Sequence, residues 1–171
     1  MRAGLPADSR CLVIPSNFRY QENATVEVPA SSMEPGDPAS YAERLVDRLP
    51  GVLEGDTAAL VLFTARRDMQ RVRDMLPETW RDCVITQDDH TRAEVLDRHR
   101  QRVDNGQTSI LFGVASFAEG IDLPGTYLEH VVITRLPFSV PDDPIEASLA
   151  EWIEERGGNP FMEISVPDAS I

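Results

Sequence analysis

The chain has 171 residues, 42% of them hydrophobic, with a formal net charge of -13 and a pI near 4.5. That length and apolar content suffice for one sizeable core, and so for one domain or most of one. The acidic balance excludes a surface that coats nucleic acid generally, because phosphate binding needs concentrated cationic charge, but it leaves room for a local basic patch.

All sixteen basic residues are arginines. Without a lysine there is no complete Walker A motif, GxxxxGKS/T, and no lysine Schiff base. The two cysteines, Cys11 and Cys83, lie in or beside apolar strand-like runs and read as buried free thiols. No stretch reaches the roughly 18 consecutive apolar residues of a membrane span, and the N-terminus lacks the pattern of a signal peptide. A cytoplasmic protein without a membrane partner is expected.

Two short apolar runs come first, Arg10 to Ile14, stopped by Pro15, and Ala24 to Val28, stopped by Pro29. Both read as short strands or extended arms. Asp37 and Pro38 then supply an N-cap and a proline at the first helical position. Tyr41, Leu45, Val46, Leu49, Val52 and Leu53 fall on one helical face, with Pro50-Gly51 expected to break the helix near Leu49. Ala58 to Phe63 is a continuous apolar run, the pattern of a strand buried on both faces. Met69, Val72, Met75 and Leu76 recur at helical spacing up to Pro77. The tight connection Thr64-Ala65-Arg66-Arg67 places two arginines in the first turn of a helix, where the partial positive charge disfavours them. A bound anion would resolve the conflict, and so would extension of both guanidinium groups into water.

Cys83 to Thr86 is the next strand, followed by Gln87-Asp88-Asp89-His90. The Asp-Asp pair superficially resembles a Walker B site; without a phosphate loop it reads as a solvated turn, and a metal-dependent hydrolase built on Asp88, Asp89 and His90 is the competing reading. Thr91 and Glu94 fit a capping box, and the helix they open runs to Asn105 with Gly106 as its stop. Its stripe of Leu96, His99 and Val103 makes His99 a packed or rim histidine rather than a ligand.

Ser109 to Val114 is an apolar strand that opens into the loop Gly113 to Gly125, GVASFAEGIDLPG. A further buried strand is expected within Leu128 to Leu136, then an extended proline-rich segment from Pro137 to Pro144. Pro144 opens a last helix with Ile145, Leu149, Trp152 and Ile153 inward, Trp152 as a core anchor, and Gly157-Gly158 as terminator. Strands alternating with helices from residue 38 onward indicate an α/β fold with a mainly parallel sheet flanked by helices.

In such a sheet three polar strand ends lie on one edge: Thr64 to Arg67, Ala115 to Asp122, and Leu136 to Asp143. The arginines suit an anion. Gly113, Ala115 and Gly120 would leave backbone amides open to a close ligand, and the Ser116 hydroxyl suits a phosphate oxygen. Glu119 and Asp122 would repel a polyphosphate, so ribose hydroxyls, a magnesium-bound water or an arginine are their natural partners. An ordinary turn accounts for the same residues.

Taken together, these stretches resemble the DinG group of ATP-dependent DNA helicases, relatives of the XPD-type helicases. The resemblance is carried by LVLFTARRDMQRV (Leu60 to Val72), RHRQRVDNGQTSILFGVASFAEGIDLPG (Arg98 to Gly125) and RLPFSVPDDP (Arg135 to Pro144). GNPFMEISVPDAS (Gly158 to Ser170) is similar to the run preceding the family's arginine motif, and GLPADSRCLVIPSNF (Gly4 to Phe18) to the start of its second motor domain.

The resemblance implies a RecA-like helicase C-terminal domain of the P-loop NTPase type, spanning residues 38–171 behind a leading segment of residues 1–37 and incomplete before motif VI. LVLFTARR would be motif IV and VASFAEGIDLPG motif V. It places Arg66, Arg67 and Ser116 at the nucleic acid, and Gly120 and Asp122 toward the nucleotide, with Glu119 positioning the loop or an arginine. The parent protein would couple ATP hydrolysis to translocation on single-stranded DNA and to duplex unwinding, with a place in DNA repair. ATP and magnesium would be held through a first RecA-like motor domain, which is also where the family's iron-sulfur cluster resides. This chain alone is expected to be inactive. The alternative is a non-catalytic RecA-like or Rossmann-like module that meets a protein partner through its acidic surface.

Overall fold

The computed structural model describes residues 10, 12–29, 37–136 and 144–166. The chain divides into two compact units, Met1–Glu34 and Pro35–Ile171. In the first, Leu12, Val13, Ile14, Val26 and Val28 are all exposed, and the one regular element described is a helical turn, α1 (Tyr20–Asn23). Phe18 and Tyr20 stack within it, ring centroids 4.8 Å apart. Neither apolar run pairs with another strand among the described residues.

The second unit begins with α2 (Pro38–Val52). Its N-cap is built as the sequence predicts, with the Asp37 carboxylate accepting from the amides of Ala39 at 3.1 Å and Ser40 at 3.3 Å. The predicted break at Pro50 does not occur. Proline in the last turn removes one donor, but the helix closes past it when Leu53 donates to the Leu49 carbonyl at 2.9 Å.

After α2 come β1 (Ala58–Phe63), α3 (Arg66–Met75), a short turn α4 (Glu78–Arg81), β2 (Val84–Thr86), α5 (Arg92–Asp104) and β3 (Ser109–Val114). The loop that follows holds a helical turn, α6 (Ala115–Ala118), and a 3-10 turn over Gly125–Tyr127. Then follow β4 (His130–Ile133), α7 (Pro144–Glu154) and a helical turn over Phe161–Ser165. The four strands form one all-parallel sheet in the order β2-β3-β1-β4.

Register sets the two faces. Leu60 lies opposite Leu111, and Val61 opposite Phe112, so pleating sends alternate residues to opposite sides. On one side Leu60, Leu111 and Ile85 join Val95 of α5 with Phe117 and Leu123 of the loop in a single apolar cluster. Phe63 and Phe112 have the other parity and stack with ring centroids 5.1 Å apart. Helices α2 and α3 pack together, and α3 lies against β1 and β3, with Met69 and Val72 fully buried.

Two expectations about the core fail. Among the described residues β4 lies at the edge of the sheet and is not the buried strand expected: Val131 is 47% and Ile133 56% exposed. On α7 only Ile153 is buried, while Ile145 and Leu149 are exposed and Trp152, at 48% exposure, carries the Arg156 guanidinium 3.6 Å above its ring. Helical spacing alone cannot say how deeply a stripe will be buried. Of the two predicted buried thiols, Cys83 is free and half-buried, its thiol donating to the Thr79 carbonyl at 3.5 Å; Cys11 lies outside the described residues.

Candidate functional site

Because every strand is parallel, the C-terminal ends of β1, β3 and β4 share one edge of the sheet. The most elaborate of these ends is the one after β3. Its apolar residues anchor it: Phe117 and Leu123 are buried, and Ala118, Ile121, Tyr127 and Leu128 are packed partly against the same cluster. Its polar residues, Ser116, Glu119, Gly120 and Asp122, are all exposed. Gly120 turns the chain at φ +69°, a conformation that L side chains rarely adopt.

Gly113 serves packing and not ligand access. A Cβ there would lie 2.6 Å from Cδ1 of Phe117 and 3.2 Å from Oε1 of Gln87. The next amide is also occupied, since Val114 N–H donates to Gln87 Oε1 at 2.8 Å. Gln87 therefore ties the end of β2 to the end of β3, a role that the sequence did not signal.

Helix α5 holds the loop from behind. Arg92 Nη2 donates to the Glu119 carbonyl, and its guanidinium sits 5.7 Å from the Phe117 ring centroid. Arg100 Nη2 donates to the Asp122 carbonyl at 3.0 Å, and Asp97 orients it from one turn earlier through Nη1 at 3.2 Å. His99 is fully buried, with Nε2 2.6 Å from the Tyr127 carbonyl and Nδ1 2.8 Å from the Ser109 hydroxyl. A carbonyl can only accept, so Nε2 carries the proton and Nδ1 accepts from Ser109. Burial pushes the His99 pKa below its ordinary value, which favours this neutral ring. The Tyr127 hydroxyl donates to Asp104 at 2.9 Å, and that bond raises the pKa of the phenol.

The arginines after β1 behave differently from one another. Arg66 pairs with Asp88 at 3.4 Å, so the protein itself supplies part of the anion that its helix-terminal position calls for. Arg67 is exposed and has no ion pair among the described residues. Gln70 also donates to Asp88, at 3.1 Å, and Arg73 pairs with Asp89 at 2.8 Å. The Asp-Asp turn is thus not the freely solvated turn expected, because both carboxylates are engaged by α3. It fastens α3 to the end of β2.

At the end of β4 a third cation appears. Thr134 bonds the Leu62 carbonyl through its amide at 3.0 Å and its hydroxyl at 2.9 Å. Tyr41 donates to the Thr134 carbonyl at 3.0 Å, and the Arg135 guanidinium stacks 3.6 Å from the Tyr41 ring centroid. Burial raises the Tyr41 pKa, so the ring remains a neutral platform. The remainder of that strand end, residues 137–143, lies outside the described residues.

The family model of the helicase C-terminal domain matches residues 52–171. The chain belongs to the helicase C-terminal domain family. This helicase C-terminal domain is similar to the ATP-dependent DNA helicase DinG of Photobacterium profundum, 44% identical over 167 residues, covering 95% of the chain and 24% of that relative. It is similar also to the ATP-dependent DNA helicase DinG of Escherichia coli strain K12, 31% identical over 174 residues, 96% of the chain and 24% of the relative. The chain thus spans about a quarter of the length of these curated relatives. Among its described residues no helix is long and apolar enough to cross a membrane.

Proposed function

We propose that this chain is the second RecA-like motor domain, residues 38–171 behind a leading segment of residues 1–37, of a DinG-type helicase that couples ATP hydrolysis to movement on single-stranded DNA. The observation that carries the reading is the placement of the loop after β3. Its apolar residues are locked into the core while Ser116, Glu119, Gly120 and Asp122 face outward, on the same edge as Arg66 and Arg67.

In this reading Arg66, Arg67 and Ser116 meet the phosphate backbone of the strand. Glu119, Gly120 and Asp122 face the nucleotide, where the carboxylates suit ribose hydroxyls or a magnesium-bound water. The chain's own donors do not fit a complete phosphate-magnesium site: it has no lysine, and Asp88 and Asp89 are engaged by arginines. Nor do two cysteines fit an iron-sulfur cluster, which takes four ligands. ATP and magnesium would therefore be held with the help of a first motor domain. When bound, magnesium would neutralise charge developing on the transferred phosphoryl group.

The test is Asp122→Ala in the complete polypeptide that carries this chain. DNA-stimulated ATP turnover is expected to fall about tenfold with an unchanged unfolding midpoint. Unaltered turnover would remove the loop from nucleotide contact.

A further inference from the structure

Residues 92, 99 and 100 of α5 fall at i, i+7 and i+8, which places them along one stripe of the helix. The stripe does not simply pack on the sheet. Three of its side chains take backbone carbonyls of one loop, those of Glu119, Asp122 and Tyr127. The helix that presents them is anchored at its start by a complete capping box, in which Thr91 accepts from the Glu94 amide while the Thr91 amide donates to the Glu94 carboxylate.

The choice of acceptor matters. Arg92 and Arg100 both hold the main chain of an acidic residue and leave its carboxylate alone, and no ion pair of Glu119 or Asp122 occurs among the described residues. A guanidinium paired with either carboxylate would neutralise it and draw it back toward α5. Charge-assisted bonds to the carbonyls instead fix the backbone and leave both carboxylates exposed. Gly120, between the two held residues, supplies the reversal that lets both carbonyls point toward the same helix.

We propose that Arg92 and Arg100 are positioning residues of the loop, which set the direction of the Glu119 and Asp122 carboxylates by holding the carbonyls of the same two residues. The proposal rests on the reading of the loop as the nucleotide-facing element. His99 is the pivot beside them, and its bond to Tyr127 ties the far end of the loop to the same helix.

The test compares Arg92→Ala/Arg100→Ala with Arg92→Lys/Arg100→Lys in the complete polypeptide, by amide exchange and by steady-state ATP turnover with and without single-stranded DNA. The alanine pair is expected to speed exchange across residues 119–127 with the sheet amides unchanged. It should also raise KM for ATP or lower stimulated turnover by about tenfold, with DNA affinity held within about twofold. The lysine pair should recover part of the loss, because an ammonium can still donate to a carbonyl without the planar fork.

Unchanged exchange in the loop overturns the proposal. Faster exchange with unchanged ATP parameters overturns it as well, and Asp122→Ala then separates two causes. If Asp122→Ala lowers turnover, only the positioning role fails; if it does not, the nucleotide-facing reading of the loop fails too. An alanine pair that does not fold leaves the decision to Arg92→Met/Arg100→Met, which keeps aliphatic stems without a donor, and in which normal exchange and normal ATP parameters together overturn the proposal.

Discussion

His99 shows how much a single side chain can carry in this fold. The residue sits in the apolar stripe of α5, where a histidine would be expected to pack or to lie at the rim. It is fully buried and joins α5, β3 and the loop through two ring nitrogens. Its folded pKa lies below the ordinary value of about 6.5, so the unfolded chain binds more protons than the folded one as the pH drops. The contribution of His99 is therefore complete above the unfolded value and is lost as the pH falls through the lowered folded value. Urea midpoints measured between about pH 5 and 7 should fall with acidity, and His99→Gln should flatten that slope while lowering stability overall. A full slope in the variant would assign the acid sensitivity to other groups. Gly113 carries the complementary lesson: it looked like an opening for a ligand, and it is the space that the Phe117 ring needs.

At the scale of elements, α3 and α5 divide the labour at the sheet edge. α5 fixes the loop after β3, whereas α3 is fastened to the turn after β2 through Asp88 and Asp89 and presents Arg66 and Arg67 at its start. An exposed ion pair such as Arg66 with Asp88 contributes little to stability, because water and salt screen it. Arg66 can thus exchange Asp88 for a phosphate at small cost. Arg66→Ala with Arg67→Ala is expected to weaken single-strand binding by the complete polypeptide and to reduce the logarithmic salt slope by roughly 0.7 for each phosphate contact removed. A slope identical to that of the unsubstituted protein would show that both guanidinium groups only extend into water.

Across the whole molecule, two surfaces look unfinished: the open face of β4 with Val131 and Ile133, and the exposed apolar groups of α7. In the proposed reading, the net charge of -13 argues against contact with nucleic acid over the whole surface and confines it to the sheet edge where Arg66, Arg67 and Arg135 follow their strands. The sequence has no lysine to grip the β- and γ-phosphates, so in the proposed reading the purified 171 residues are expected to show no ATP turnover above background, with or without DNA. Turnover in a coupled phosphate-release assay would overturn the division of labour between two motor domains.

The sequence by itself determined the order of the elements, the limits of β1 and β3, the Asp37 cap, the capping box of α5 and the sheet edge that carries the polar loops. These are local properties: apolar runs, capping residues and the alternation of strands with helices act over a few residues and leave a readable pattern. Only the tertiary structure decided that β4 lies at an edge, that Trp152 is half-exposed and that the Asp-Asp turn is bound by arginines. It alone decided that α5 grips the loop by its carbonyls. Each of those depends on which distant residues meet. A main-chain carbonyl is the same at every position, so no residue type in the sequence marks which ones Arg92, His99 and Arg100 will find.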